Sequence, residues 1–191
     1  MTGVVLCGGI SSRMGSDKGL LEIDEKKWVE NSAFLLSSLD IPVFISVNQK
    51  QVDSYSRFFT KQSLLIDNAI LHLKGPLLGI MSVHLKIPGE DLFVLACDMI
   101  RMKEAVLDRM FREYTAGDAD AYVYAIQNNR EPLCAIYTSS ALEKINELVY
   151  THQLKNFSMM NVLDKLRTEY LAVEPHLTSC FKNVNSPEEL I

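Results

Sequence analysis

The sequence predicts an α/β protein: a doubly wound, mostly parallel sheet in a single domain spanning residues 1–191. Two patterns carry this reading. Short, continuous apolar runs of strand length recur along the chain, and segments with apolar residues at helical spacing lie between them. The runs Val4–Cys7, Val43–Val47, Ser63–Ile66, Leu92–Ala96 and Ala121–Ile126 suit strands buried on both faces of a sheet. Helices are expected at Trp28–Leu39, Leu77–Leu85 and Glu104–Tyr114; in the first, Val29, Ala33, Leu36 and Leu39 share one face. The final third is less regular. It predicts a strand at Pro132–Tyr137, a helix at Ala141–Val149, a short helix at Phe157–Leu166 and a closing strand at Tyr170–Val173. No repeat, low-complexity tract or linker interrupts it.

Composition narrows the function classes. The chain has 191 residues, 48% hydrophobic and 23% charged, with a mean hydropathy of +0.06. That is too apolar for disorder, and no window approaches the roughly 18 apolar residues of a membrane span. The start lacks the basic region of a secretory signal and already reads as a strand, so a cytoplasmic protein is expected. A net charge of −5 argues against general nucleic-acid binding. It leaves room for an anionic small ligand, because charges beyond about 8 Å are largely screened and a few local cations decide. Cys7, Cys97, Cys134 and Cys180 lie far apart with no CxxC, which disfavours zinc and thiol-redox chemistry; reduced, structural thiols are expected.

The chemistry is concentrated after the first strand, in Leu6-Cys7-Gly8-Gly9-Ile10-Ser11-Ser12-Arg13-Met14-Gly15-Ser16-Asp17-Lys18. A glycine pair there lets backbone N–H groups approach an anion, and Arg13 and Lys18 carry charge suited to phosphate oxygens. Neither GxxxxGK[ST] nor GxGxxG is present. Spacing alone is equally compatible with an ordinary strand-to-helix turn. Asn48 and Asp67 follow the second and third strands, Gly75-Pro76 opens a helix, and Asp98 follows the run Leu92–Cys97. Asp98 reads either as a turn or cap residue or as a Mg²⁺ ligand beside substrate phosphates. Near the C-terminus Ser186, Pro187 and Glu189 read as a capping box, and Asn183 and Asn185 flank an inward-facing Val184 on one strand face. His72, His84, His152 and His176 have no partner spacing and read as surface or packing residues, as do Arg130 and Lys155.

Taken together these segments resemble the molybdenum cofactor guanylyltransferase family (molybdopterin-guanine dinucleotide biosynthesis protein A). The match runs through nearly the whole chain, and its most specific part is the Leu6–Lys18 motif. Supporting segments are Asp67 with Gly75-Pro76-Leu77-Leu78-Gly79, then Cys97-Asp98, then Asn183-Val184-Asn185-Ser186-Pro187-Glu188. The resemblance implies a Rossmann-like nucleotidyltransferase fold and transfer of GMP from GTP to molybdopterin, with pyrophosphate released. It implies nucleotide binding by Leu6, Cys7, Gly8, Gly9, Lys18, Asn48, Asp67 and Asp98, with Mg²⁺ held by Asp98 as cofactor. Arg13, Lys18 and Asp98 would be catalytic, and Asn183 and Asn185 would face the acceptor. It extends to molybdoenzymes and other cofactor-pathway proteins as partners. Related cytidylyltransferases tend to carry Ala at the position of Gly8, so Gly8 is expected to favour GTP. Lys18→Ala is expected to cost about 10²–10³ in rate, as for the loss of one preorganised donor.

Three features depart from the family pattern: Ile100 stands where Pro is usual, Asp24-Glu25-Lys26 replaces a turn that often carries Gly, and the sequence ends at Ile191, soon after the capping box. Other readings are transfer of CMP to molybdopterin, transfer to a sugar phosphate, or a catalytically silent nucleotide-binding protein of the same pathway.

Overall fold

A computed structural model describes residues 1–8, 17–127, 129–182 and 184. In chain order they form β1 (Thr2–Leu6), the short β2 (Glu22–Ile23) and β3 (Lys26–Lys27), α1 (Trp28–Ser37), β4 (Val43–Val47), α2 (Val52–Tyr55) and β5 (Leu64–Ile66). Then come α3 (Pro76–Lys86), β6 (Leu92–Ala96), α4 (Glu104–Ala116), β7 (Ala121–Ile126), β8 (Asn129–Tyr137), α5 (Ser139–Tyr150), α6 (Met159–Leu163) and β9 (Thr168–Ala172).

Seven strands make one sheet in the order β5-β4-β1-β6-β8-β7-β9. β1, β4, β5 and β6 pair in parallel, as do β7 and β9, while β8 runs antiparallel to both its neighbours. The expected mostly parallel sheet is therefore present, with one strand reversed. The reversal follows from a tight β7–β8 hairpin, which joins only antiparallel strands. Its first linking residue, Gln127, has φ 55°. Pairing reaches Ile126↔Asn129, so β8 begins three residues before the expected Pro132, in polar sequence that hides the strand pattern.

Alternating side chains of the central strands feed two separate cores. Val5 and Leu95 join Val29 and Leu36 of α1 and Val106 and Met110 of α4. Val4 and Val94 join Leu77 and Ile80 of α3 and Leu142 and Ile145 of α5 on the other face. Crossovers on both faces are what double winding means, and they explain why strands such as β6 are apolar throughout.

The short strands β2 and β3 and the single-turn α2 have no counterpart among the expected elements. β2 and β3 form a hairpin whose Asp24 and Glu25 both have positive φ, 50° and 63°, as in a type I′ turn made without glycine. The helix expected over Phe157–Leu166 shrinks to Met159–Leu163, capped by Ser158 Oγ, which accepts from the Asn161 N–H. The capping box at Ser186, Pro187 and Glu189 lies outside the described residues.

Candidate nucleotide-binding site

In the sheet order, β4 and β5 lie to one side of β1 and β6 to the other. Such a reversal opens a crevice at the carboxyl ends of the strands, where ligands of open α/β sheets bind. Asp67, Asn48, Gly8 and Asp98 follow β5, β4, β1 and β6, so the sheet brings these four sequence-predicted residues to one edge. Leu6 is buried, and its carbonyl accepts from the Cys97 N–H. Cys7 is buried too, and burial followed by neighbouring Cys97 pushes its thiol pKa well up, so it stays protonated and packs as a core residue. All four cysteines are free and buried; for Cys7, Cys97 and Cys134 an apolar run predicts this, and Cys180 joins them without one.

Across the crevice, Lys18 Nζ donates to Asp98 Oδ2 at 3.2 Å, with each side chain about one-fifth exposed (22% and 21%). The preceding residue fixes the base of Lys18. Asp17 caps the 3₁₀ turn Lys18–Leu20 by accepting from the Gly19 N–H, and it also accepts from Tyr55 Oη at 2.9 Å and Gln51 Nε2 at 2.6 Å. A side chain at Gly19 would collide with the Tyr55 hydroxyl, so this packing requires glycine there. Gln51 and Tyr55 escaped the sequence reading, because α2 is a single turn with no periodic signal. The Asp17-Lys18-Gly19 run was the one available hint.

On the other side of Gly8, Asp67 Oδ1 accepts from Ser46 Oγ at 2.9 Å. Burial raises the Asp67 carboxyl pKa and the Ser46 hydrogen bond partly offsets the rise. A Cβ on Gly8 would lie 2.8 Å from Asp67 Oδ2, so a methyl there would displace the Asp67 carboxylate. Asn48 is engaged in its own turn: its Oδ1 accepts from the Lys50 N–H and its N–H donates to Gln51 Oε1.

Gly9, Arg13, Asn183 and Asn185 lie outside the described residues. Val184, between the two asparagines, is buried as expected, and its N–H donates to the Asp98 carbonyl at 3.3 Å. Val184 thus lies at the carboxyl end of β6. At this same end of the sheet, a cavity of about 430 Å³ lies between the start of α3 and the segment entering α6. Lys74, Gly75, Pro76, Lys155, Asn156 and Ser158 are among its lining residues. Gly75, with φ 63° and ψ −154°, occupies a backbone region essentially reserved for glycine and turns the chain into α3. His84 packs between α3 and α5, its Nε2 3.2 Å from Glu143. Arg130 is paired with Asp164 at 2.6 Å.

The switch-point crevice and its Lys18–Asp98 pair, together with the matches that follow, define a nucleotidyltransferase. Residues 3–168 match the MobA-like NTP transferase domain. A probable molybdenum cofactor guanylyltransferase of Methanothermobacter thermautotrophicus is 30% identical, with 97% of this chain and 95% of that protein aligned. The molybdenum cofactor guanylyltransferase of Vibrio parahaemolyticus is 27% identical over 98% of this chain and 91% of its own length. Among solved structures, molybdopterin-guanine dinucleotide biosynthesis protein A from Archaeoglobus fulgidus superposes with a TM-score of 0.77 at 23% identity, covering 100% of this chain and 95% of that one. The 2-C-methyl-D-erythritol 4-phosphate cytidylyltransferase of Francisella tularensis gives 0.69 at 12%, covering 99% and 96%. These two likenesses speak for the fold. The chain belongs to the MobA-like NTP transferase family, on its molybdenum cofactor guanylyltransferase branch.

Proposed function

We propose that this protein transfers GMP from GTP to the terminal phosphate of molybdopterin, forming molybdopterin guanine dinucleotide and pyrophosphate. The observation that carries the reading is the pairing of Lys18 with Asp98 across the switch-point crevice, next to the Gly8 loop. A cation held against a carboxylate that follows β6 suits a triphosphate site.

The acceptor phosphate is ionised at pH 7, so it needs no protein nucleophile. One of its oxygens attacks the α-phosphorus in line, the bond to the α–β bridging oxygen breaks, and pyrophosphate leaves with that oxygen. Positioning and charge stabilisation then supply most of the rate. Lys18 offsets charge on the phosphates, and Arg13 takes the same part by its place in the motif. Asp98 suits Mg²⁺: its carboxylate is partly exposed at the edge of the crevice, and Mg²⁺ characteristically takes one or two carboxylates with phosphates and water completing the shell. Among the described residues no three His, Cys, Asp or Glu side chains form a protein-only cage. When bound, the ion would neutralise phosphate charge. Asp67 and Asn48 lie on the nucleoside side of Gly8. The cavity that Lys74 and Lys155 help to line is the acceptor side, two lysines suiting an anionic pterin phosphate. Asn183 and Asn185 are assigned to the acceptor by their place in the motif alone. Among the described residues no helix is long and apolar enough to cross a membrane. Four free thiols suit a cytoplasmic setting.

Calorimetric titration of GTP and of CTP with Mg²⁺ tests this. GTP is expected to bind more tightly than CTP, and Lys18→Ala to weaken GTP about 10-fold or more. Preference for CTP would move the protein to cytidylyl transfer, and failure to bind either would remove the nucleotide reading.

A further inference from the structure

Every hydrogen-bonding group of the Gln51 side-chain amide is engaged, and each bond runs to a different part of the crevice wall. Its Nε2 donates to the Cys7 carbonyl at 2.9 Å and to Asp17 Oδ2 at 2.6 Å, while its Oε1 accepts from the Asn48 N–H at 2.9 Å. The amide therefore joins the end of β1, the end of β4 and the turn that carries Lys18. Its orientation admits no flip, because oxygen must meet an N–H and nitrogen must meet two oxygens. Tyr55 completes the fixture: burial raises its phenol pKa far above the ordinary value, so it stays protonated and donates to Asp17 Oδ1 at 2.9 Å. Asp17 in turn caps the turn that places Lys18 3.2 Å from Asp98.

We propose that Gln51 is a positioning residue for nucleotide transfer, holding Lys18 within reach of the triphosphate by way of Asp17 while touching no substrate itself. The proposal rests on the nucleotide reading above and adds to it a residue outside the motif. A carboxylate at position 51 cannot donate to Asp17 and would repel it. An aliphatic side chain of similar length would remove the amide donor from the Cys7 carbonyl and from Asp17 Oδ2, leaving Asp17 held only through Oδ1.

The test is a double-mutant cycle read by calorimetry, with GTP plus Mg²⁺ and, separately, guanosine as probes. Gln51→Glu is expected to weaken GTP about tenfold or more while leaving guanosine affinity within about twofold, because the defect lies at the phosphates. In a Lys18→Ala background the same substitution is expected to change GTP affinity by less than about twofold, since the group it positions is gone. Gln51→Met repeats the cycle should Gln51→Glu fail to give a cooperative melt. Equal losses for GTP and guanosine, or losses that multiply fully in the double variant, would show a general structural role and overturn the proposal. Wild-type protein that binds GTP beside unaffected Gln51 variants overturns this inference alone. Wild-type protein that binds no GTP overturns the nucleotide reading and this inference with it.

Discussion

Asp67 shows how the site works against the fold. Its carboxyl pKa is raised chiefly by burial, so the ionised form is less comfortable in the folded chain than in the unfolded one. The corresponding stability is complete below the unfolded value of about 3.9 and is lost as pH rises through the raised folded value. Asp67→Asn removes that loss, while its amide can still bond Ser46. The variant is expected to melt at a higher temperature than wild type at pH 7.5, with the advantage vanishing towards pH 4. It is also expected to bind GTP more weakly. Thermal melts across that pH range check the first part, and an advantage that grew on acidification would contradict it. Not all of this was visible in the sequence. Asp67 and Asp98 could be found because each closes an apolar run, whereas Ser46, Gln51 and Tyr55 act through contacts between separate elements that no local pattern announces.

The hairpin of β2 and β3 shows the same limit for whole elements. Its strands are two residues each, too short for period-two alternation to register. Its turn places Asp24 and Glu25 in the left-handed region that a glycine-bearing sequence would have advertised. Non-glycine residues there cost about 1 kcal/mol or more each. Glu25→Gly should therefore raise stability by about 1 kcal/mol, or about 2–4 °C in Tm for a domain of this size, leaving GTP binding unchanged. A lower Tm in differential scanning calorimetry would mean that Glu25 makes a compensating interaction. β8 was legible as a strand but not as the reversed one, because direction is set by the hairpin at Gln127 and not by apolar content.

The two ends of the molecule are built differently. At the amino ends of β1 and β6, the N-terminal ammonium pairs with Glu90 at 2.9 Å and lowers its carboxyl pKa. Asp91 beside it accepts from Tyr114 Oη and the Ser139 N–H, tying α4 and α5 to β6. Burial and Asp91 push the Tyr114 phenol to about 12. That end is closed by its own hydrogen bonds. At the carboxyl end, Lys18, Asp98, Lys74 and Lys155 stand around a crevice and a cavity of about 430 Å³. Double winding makes this polarity: α1 and α3 pack on opposite faces of the sheet, and the strand order reverses at β1, with β4 and β5 on one side and β6 on the other. This end of the sheet is where we propose that a guanylyl group is joined to a pterin phosphate. Pyrophosphate release on mixing the protein with GTP, Mg²⁺ and molybdopterin decides the matter. Release that requires molybdopterin, is slower with CTP, and falls about 10²-fold or more in Asp98→Asn is the predicted result. Release at the wild-type rate from Asp98→Asn, or none from wild type with any nucleotide, would contradict it.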